Sequence, residues 1–382
     1  MRINLFEDQH WSAFLPLCYT RPVGALRMGV LTIAEKYERV LGATVGHLSR
    51  KNLDALFPAL EQADFRINAR VLPNAAWMRA LHELNRGQRW VKGDVLLAEF
   101  ADDTNVTDVE YPGELTILSR VTDLFTHNAQ ALKQDFEWMT SGRTGAQLHS
   151  SVTVIGPSDQ LFLEEGAQVY GSIFNTMEGP IYIGHDAEIM EGSMVRGPFA
   201  LCDHATLKMG AKVYGGTTIG PHCKVGGEVS NSLFTGFSNK AHDGFMGNSV
   251  IGEWCNLGAD TNTSNLKNNY SEVRIWNAAR ADYVGTGLTF CGLLMGDHSK
   301  CGINTMFNTG TVVGVCANVY GGGFPAKFIP SFSWGGSDGV VLYDLNKAME
   351  TIRKVMARRS MELSADMTRM LSELHSESAG ME

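Results

Sequence analysis

The stretch VRGPFALCDHATLKMGAKVYGGTTIGPHCKV, residues 195–225, decides the fold. Val195, Leu201, Leu207, Val213, Ile219 and Val225 recur every six residues without a break. Ile183 and Ile189 extend the series backward. It returns at Leu233, Phe245, Ile251 and Leu257, and again at Leu294, Met306 and Val312. Four residues after most of these positions the chain is small, as at Ala187, Ser193, Ala205, Ala211, Thr217 and Cys223; Phe199 is the exception. One large aliphatic and one small residue per hexapeptide, with glycines between, predicts a left-handed parallel β-helix of hexapeptide repeats. Each hexapeptide supplies a short strand and a corner. Three make a triangular coil, so residues about eighteen apart share a column. Such prisms place ligand grooves along their edges.

The bulk properties exclude several classes. With 382 residues the chain is long enough for two or three domains. Its net charge of -9 and the lack of a long basic run argue against a nucleic-acid partner. The apolar runs are too short to span a bilayer, so no membrane partner is expected. Met1–His10 carries Glu7 and Asp8 and does not read as a signal peptide. Seven cysteines, an odd number with no CxxC spacing, fit reduced thiols and a cytoplasmic location.

Residues 1–140 leave the six-residue period and read as an α/β domain. Arg2–Phe6 alternates like a strand. Thr32 and Glu35 form a capping box before a helix over Ile33–Leu41. Asp64–Val71 reads as a strand, Ala75–Leu84 as a helix, Trp90–Glu99 as a hairpin turning at Gly93–Asp94, and Val121–Met139 as a helix. Residues 141–149 form a linker. The β-helix is expected over 150–335, with a loop leaving the prism at 266–287, where Trp276, Arg280 and Tyr283 appear. Over 340–376, Leu345, Met349, Ile352 and Met356 share a helical face, and Ser364 is placed to cap a second helix. These helices are expected to cap the solenoid or pack on a neighbour.

The polar, glycine-rich segment 225–265 holds the candidate chemistry. His242 lies among Asn239, Lys240 and Asp243, just before a coil resumes at Phe245. An imidazole at a coil edge suits general-base work on an amine, although a plain surface turn explains a histidine there too. His204 and His222 are one coil apart, and His242 joins their column if a short slip is allowed. No closely spaced second histidine completes a zinc site, so no metal is assigned. Arg196 and Tyr214 also share a column. Arg196 offers a cation for a phosphate, with Lys208, Lys212 and Lys240 as further candidates against a solvated outer face. The amides of Asn256 and Asn265 could fix hydroxyls or an acetyl carbonyl, or simply turn corners.

The segments LCYTRPVGALRMGVLTI, AHDGFMGNSVIGEWCNLGADTNTSNLKN and FIPSFSWGG resemble the bifunctional family that joins a uridylyltransferase to a glucosamine-1-phosphate N-acetyltransferase. The resemblance implies a shortened variant: a degenerate nucleotidyltransferase-like domain followed by an acyltransferase β-helix. It implies that His242 is the base, that Phe245 stands where the family has a substrate-binding tyrosine, that Asn256 binds substrate, and that Asn265 lies near acetyl-CoA. Arg196, Tyr214 and Lys240 join the substrate site. The family's phosphate-binding lysines have no counterpart, since Ser230 and Asn231 fall there. At the amino terminus, Arg21–Pro22 and Arg27–Met28–Gly29 replace a glycine-rich phosphate loop, and Ala69 stands where a magnesium-binding aspartate is expected. Arg21, Arg27 and Lys36 are left as phosphate-binding candidates. Mg2+ is expected only if that domain is active. The reading is a homotrimer that moves acetyl from acetyl-CoA to an amino-sugar phosphate. The alternatives are a regulatory trimer binding a nucleotide sugar, or a bifunctional enzyme.

Overall fold

The computed structural model describes residues 1–379. The amino-terminal sheet has six strands, in the order 44–48, 2–6, 65–68, 95–100, 88–92 and 107–110. The strand Arg2–Phe6 lies one in from the edge and runs parallel to both neighbours. The first helix spans Ile33–Leu41; Thr32 accepts from the Glu35 amide, Glu35 caps in return, and Gly42 ends it at φ 58°. The expected helix over Val121–Met139 is two, Asp123–Thr126 and Asn128–Thr140.

The β-helix has three long walls. One sheet has nine strands, the second ten and the third six, with Asn262–Thr263 and Met306–Phe307 continuing the third side. Apart from the last strand of the ten-stranded wall, strands within each wall pair in parallel, as Leu201 with Ile219 and Leu207 with Val225. The inward row is Ile183, Ile189, Val195, Leu201, Leu207, Val213, Ile219 and Val225, all essentially inaccessible.

Beyond Val225 the pattern and the structure part. Val225 pairs with Lys240, Ile219 with Phe234, Val229 with Met246 and Ile251 with Met295. Phe234, Met246, Met295, Phe307 and Val313 therefore point inward. The expected inward residues Leu233, Phe245, Leu294, Met306 and Val312 stand one residue off and face outward. The physical reason is shortened coils plus burial on both faces. Leu233, Val250, Leu294 and Val312 form one outward row in register, and all four pack into the core of the amino-terminal domain. A wall buried on both sides has no alternation to read. Each such side chain contributes about 1.5–3 kcal/mol of burial, which fastens the domain to the solenoid.

Polar bonds fix that docking. Asn128 Nδ2 donates to Gly216 O at 2.8 Å, and Thr218 Oγ1 donates to Gly29 O at 2.9 Å. The excursion after Leu266 folds into a hairpin, Arg274–Asn277 with Asp282–Gly285. Val273 and Ile275 enter the amino-terminal core, and Arg120 donates to Thr286 O at 2.8 Å.

The carboxyl-terminal helices span Leu345–Ala357 and Ala365–Ala379. They lie along a corner of the solenoid, where Met349, Ile352, Met356 and Leu371 pack with Trp254, Cys316, Phe332 and Leu53. The end of the ten-stranded wall is closed instead by the antiparallel strand Gly339–Leu342. All seven cysteines are buried and free. Among the described residues no helix is long and apolar enough to cross a membrane.

Candidate functional site

His242 sits on the corner between the strands Asn239–Lys240 and Phe245–Gly247. It is exposed, and its ring makes no hydrogen bond among the described residues. Its backbone is held from inside: Lys240 Nζ donates to His242 O at 2.8 Å and to Gly226 O at 3.1 Å. Lys240 is 1% exposed and takes the interior place that Val225 fills one coil earlier. That corrects its assignment as a substrate-binding residue. Burial pulls its ammonium down to about 8, and two carbonyls are its hydrogen-bond partners. It therefore shapes the corner and does not reach solvent.

Phe245 faces outward on the third wall, half-buried, and its amide donates to Asn262 Oδ1 at 2.8 Å. Asn265 lies one coil later, just past the strand Asn262–Thr263, where its Nδ2 donates to Asn248 Oδ1 at 2.8 Å. Arg196 and Tyr214 are exposed on that wall, and Arg196 reaches Glu178 at 3.5 Å. Asn256 faces outward on the ten-stranded wall, in register with Asn239 and Lys300. Within one chain, then, His242 and Phe245 stand at one end of the third wall, Arg196 and Tyr214 lie in the Gly247 column at its other end near Asn265, and Asn256 opens on the adjoining wall. They do not converge in a single pocket of one chain.

His242 does not join the histidine column. His204 and His222 are followed there by Phe237, Trp254 and His298, each stacked on the last. All five are corner residues with φ between 53° and 61°. No cluster of three or more metal-ligating side chains occurs among the described residues.

The amino-terminal candidates are consumed by the fold. Arg21 bridges Glu253 at 2.7 Å and Asp297 at 2.5 Å, and Thr20 Oγ1 donates to Asp297 at 2.7 Å. Burial opposes the Arg21 charge, but the two carboxylates outweigh it and hold its pKa high. Arg27 donates to Thr235 O at 3.2 Å and to Val30 O. Lys36 is buried against Asp135, whose carboxylate also takes the amides of Val30 and Leu31. None of the three is left open to bind phosphate, because a buried cation must be paired within the protein. Arg70 is likewise fixed on Asp8, at 2.9 Å from Nε, and Asn68 joins that carboxylate at 3.0 Å.

Sequence reasoning passed over a cavity of about 530 Å³ between the ten-stranded wall and the first carboxyl-terminal helix. Asn256 lines it with Lys224, Lys300, Arg358 and Arg359. The column Lys224–Asn239–Asn256–Lys300 breaks the eighteen-residue spacing, and the helix that covers it comes from a distant segment, so neither was legible in the sequence.

Residues 3–144 match the profile of the sugar nucleotidyl transferase family. Over 148 residues the chain is 27% identical to a bifunctional sugar-1-phosphate nucleotidylyltransferase/acetyltransferase of Sulfurisphaera tokodaii, covering 38% of this chain and 36% of that protein. Over 88 residues it is 34% identical to the bifunctional protein GlmU of Methanocaldococcus jannaschii, covering 23% of this chain and 21% of that one. The chain thus spans little more than a third, at most, of the length of these curated relatives. Among solved structures, an Arabidopsis UDP-N-acetylglucosamine acyltransferase aligns at TM-score 0.27 and 14% identity, over 56% of this chain and 77% of that one. The polySia-specific acetyltransferase NeuO aligns at TM-score 0.29 and 10% identity, over 55% and 94%.

Proposed function

We propose that this chain, a member of the GlmU-like family with a sugar nucleotidyltransferase domain at its amino terminus, is an acetyl-CoA-dependent N-acetyltransferase acting on an amino-sugar phosphate of the glucosamine-1-phosphate type. The observation that carries the reading is His242: an exposed imidazole with no internal partner, on a corner whose backbone is pinned by the buried Lys240. A free base on a rigid edge suits proton abstraction at a reactant lying outside the coil. The amine nitrogen attacks the thioester carbonyl, and His242 takes its proton. The tetrahedral oxyanion is stabilised by a backbone N–H. The C–S bond then breaks and coenzyme A leaves as the thiol, protonated by His242. No covalent enzyme intermediate is needed when both reactants share one groove.

The acting unit in this reading is a homotrimer. Ile173, Met194 and Tyr214 are more than two-fifths exposed on the third wall, beside Phe245. Apolar surface of that kind supports packing against another prism. A neighbour's wall would also bring Asn265 or Arg196 opposite His242, which one chain alone does not do. The test is thiol release from acetyl-CoA with glucosamine-1-phosphate. His242→Ala is expected to lower it roughly 100-fold or more while the chain stays folded. Equal turnover by both forms removes His242 from the mechanism. No turnover by wild type with any amino-sugar phosphate favours a binding module over an enzyme.

A further inference from the structure

Four cations surround the cavity between the ten-stranded wall and the helix Leu345–Ala357, and no carboxylate lines it. Lys224 and Lys300 stand in one outward column of the solenoid, with Asn239 and Asn256 between them. Arg358 and Arg359 close the space from the end of the helix. None of the four forms an ion pair within 4.0 Å among the described residues. Arg359 donates to His222 O at 3.0 Å and Lys300 Nζ donates to His298 O at 2.9 Å, so carbonyl bonds aim both groups without neutralising them. The amide oxygen of Asn239 is buried without a partner. Arg21, Lys36 and Arg70 are each paired with a carboxylate, whereas the four around this cavity meet none.

We propose that this cavity binds a phosphate-bearing small molecule, held jointly by the solenoid and the carboxyl-terminal helix. Guanidinium and ammonium groups converging on one space suit a doubly charged phosphate, and the unpartnered Asn239 Oδ1 is an acceptor for a hydroxyl of its organic part. The volume exceeds that of a lone phosphate, so the ligand carries an organic part. Phe237 and Trp254, stacked at 4.3 Å, offer it an aromatic wall. The neighbouring cations also depress Lys224: burial acts first, then the charges of Arg359, Lys208 and Arg358, against the attraction of Glu188. A bound anion relieves that repulsion. The inference extends the transferase reading, because Asn256 and Ala241 line the cavity and Ala241 adjoins His242. Its test does not depend on transfer.

The experiment is calorimetric titration of the full chain with inorganic phosphate, pyrophosphate, glucosamine-1-phosphate and coenzyme A, at low and at moderate salt. Saturable binding of at least one probe is expected, weakened by salt. The double variant Arg358→Gln/Arg359→Gln is expected to lose roughly tenfold or more in affinity. Tighter binding of the sugar phosphate identifies a monoester as the ligand; tighter binding of coenzyme A identifies its phosphates. Lys224→Gln provides a second variant should the helix variant fail to fold. Lys354→Gln, an exposed lysine of the same helix that does not line the cavity, should bind as wild type does, which separates this site from a general loss of positive charge. No saturable binding by any probe, or affinities unchanged in both cation variants, overturns the proposal.

Discussion

The imidazole of His204 lies flat on that of His222, with ring centroids 4.8 Å apart and 13° between the planes. The stack continues through Phe237, Trp254 and His298. Each of these residues turns a corner at positive φ, a conformation that side chains with a Cβ adopt at a cost of about 1–2 kcal/mol. Stacking along the corner offsets that cost, since parallel rings contribute about 0.5–1.5 kcal/mol per contact beyond burial. The histidine column is thus the foot of an aromatic spine. Its upper rungs seat the carboxyl-terminal helices.

The top of that spine makes the protein acid-sensitive. Burial pulls His298 down to about 3 and His47 down to about 4. Both are neutral in the folded chain at pH 7, and both bind a proton more readily when unfolded. Their contribution is full above the ordinary histidine pKa near 6.5 and is lost as pH falls toward 3–4. Each adds a slope of up to about 1.4 kcal/mol per pH unit in that window. Denaturant melts between pH 7 and 4.5 should show stability falling, and His298→Asn, which tolerates the positive φ, should flatten the fall. An unchanged slope in that variant would show that His298 is not the titrating group.

Removing Arg21 should be costly. Asp297 would remain 4% exposed with its main cationic partner gone. Arg21→Ala is expected to destabilise by about 3–5 kcal/mol, the usual range for breaking a buried pair from one side. Arg21→Ala/Asp297→Asn should recover part of that loss. Urea melts in which the single variant matches wild type would mean that this bridge does not clamp the two domains.

Lys240→Met should behave in the opposite way. The side chain occupies an apolar slot between Val225 and Leu257, so an isosteric neutral residue should leave stability equal or higher by about 1–3 kcal/mol. It also releases the His242 carbonyl. Transfer should therefore fall while the melting temperature does not. A variant that melts well below wild type would show that the two carbonyl bonds outweigh the buried charge.

Nucleotidyl transfer by the amino-terminal domain is not expected. Arg21, Arg27 and Lys36 are occupied by internal partners, and Asn68 and Arg70 are held on Asp8. Asp94 lies exposed at a hairpin turn, away from them in sequence. Incubation with UTP, N-acetylglucosamine-1-phosphate and magnesium should release no pyrophosphate above background. Release at enzyme-like rates, lost in Asp94→Ala or Arg21→Ala, would reverse this expectation.

The six-residue period by itself determined the β-helix, because a coil interior one side chain wide demands a large apolar residue at each strand and tolerates little else. The capping box at Thr32 and Glu35 and the turn at Gly93–Asp94 were equally readable, since their signals are local. What the sequence left open is everything that depends on a partner far along the chain. The outward row of Leu233, Val250, Leu294 and Val312 looked like an interior row, because contact with another domain buries a wall as completely as the coil interior does. Arg21, Arg27 and Lys36 looked like ligand-binding cations, because charge is written in the sequence and pairing is not. The cavity of Lys224, Lys300, Arg358 and Arg359 joins residues 135 positions apart, by the difference between 224 and 359, and exists only because two helices fold back along the corner. Local periodicity fixes the direction of a side chain; only the packing of distant segments fixes what it meets.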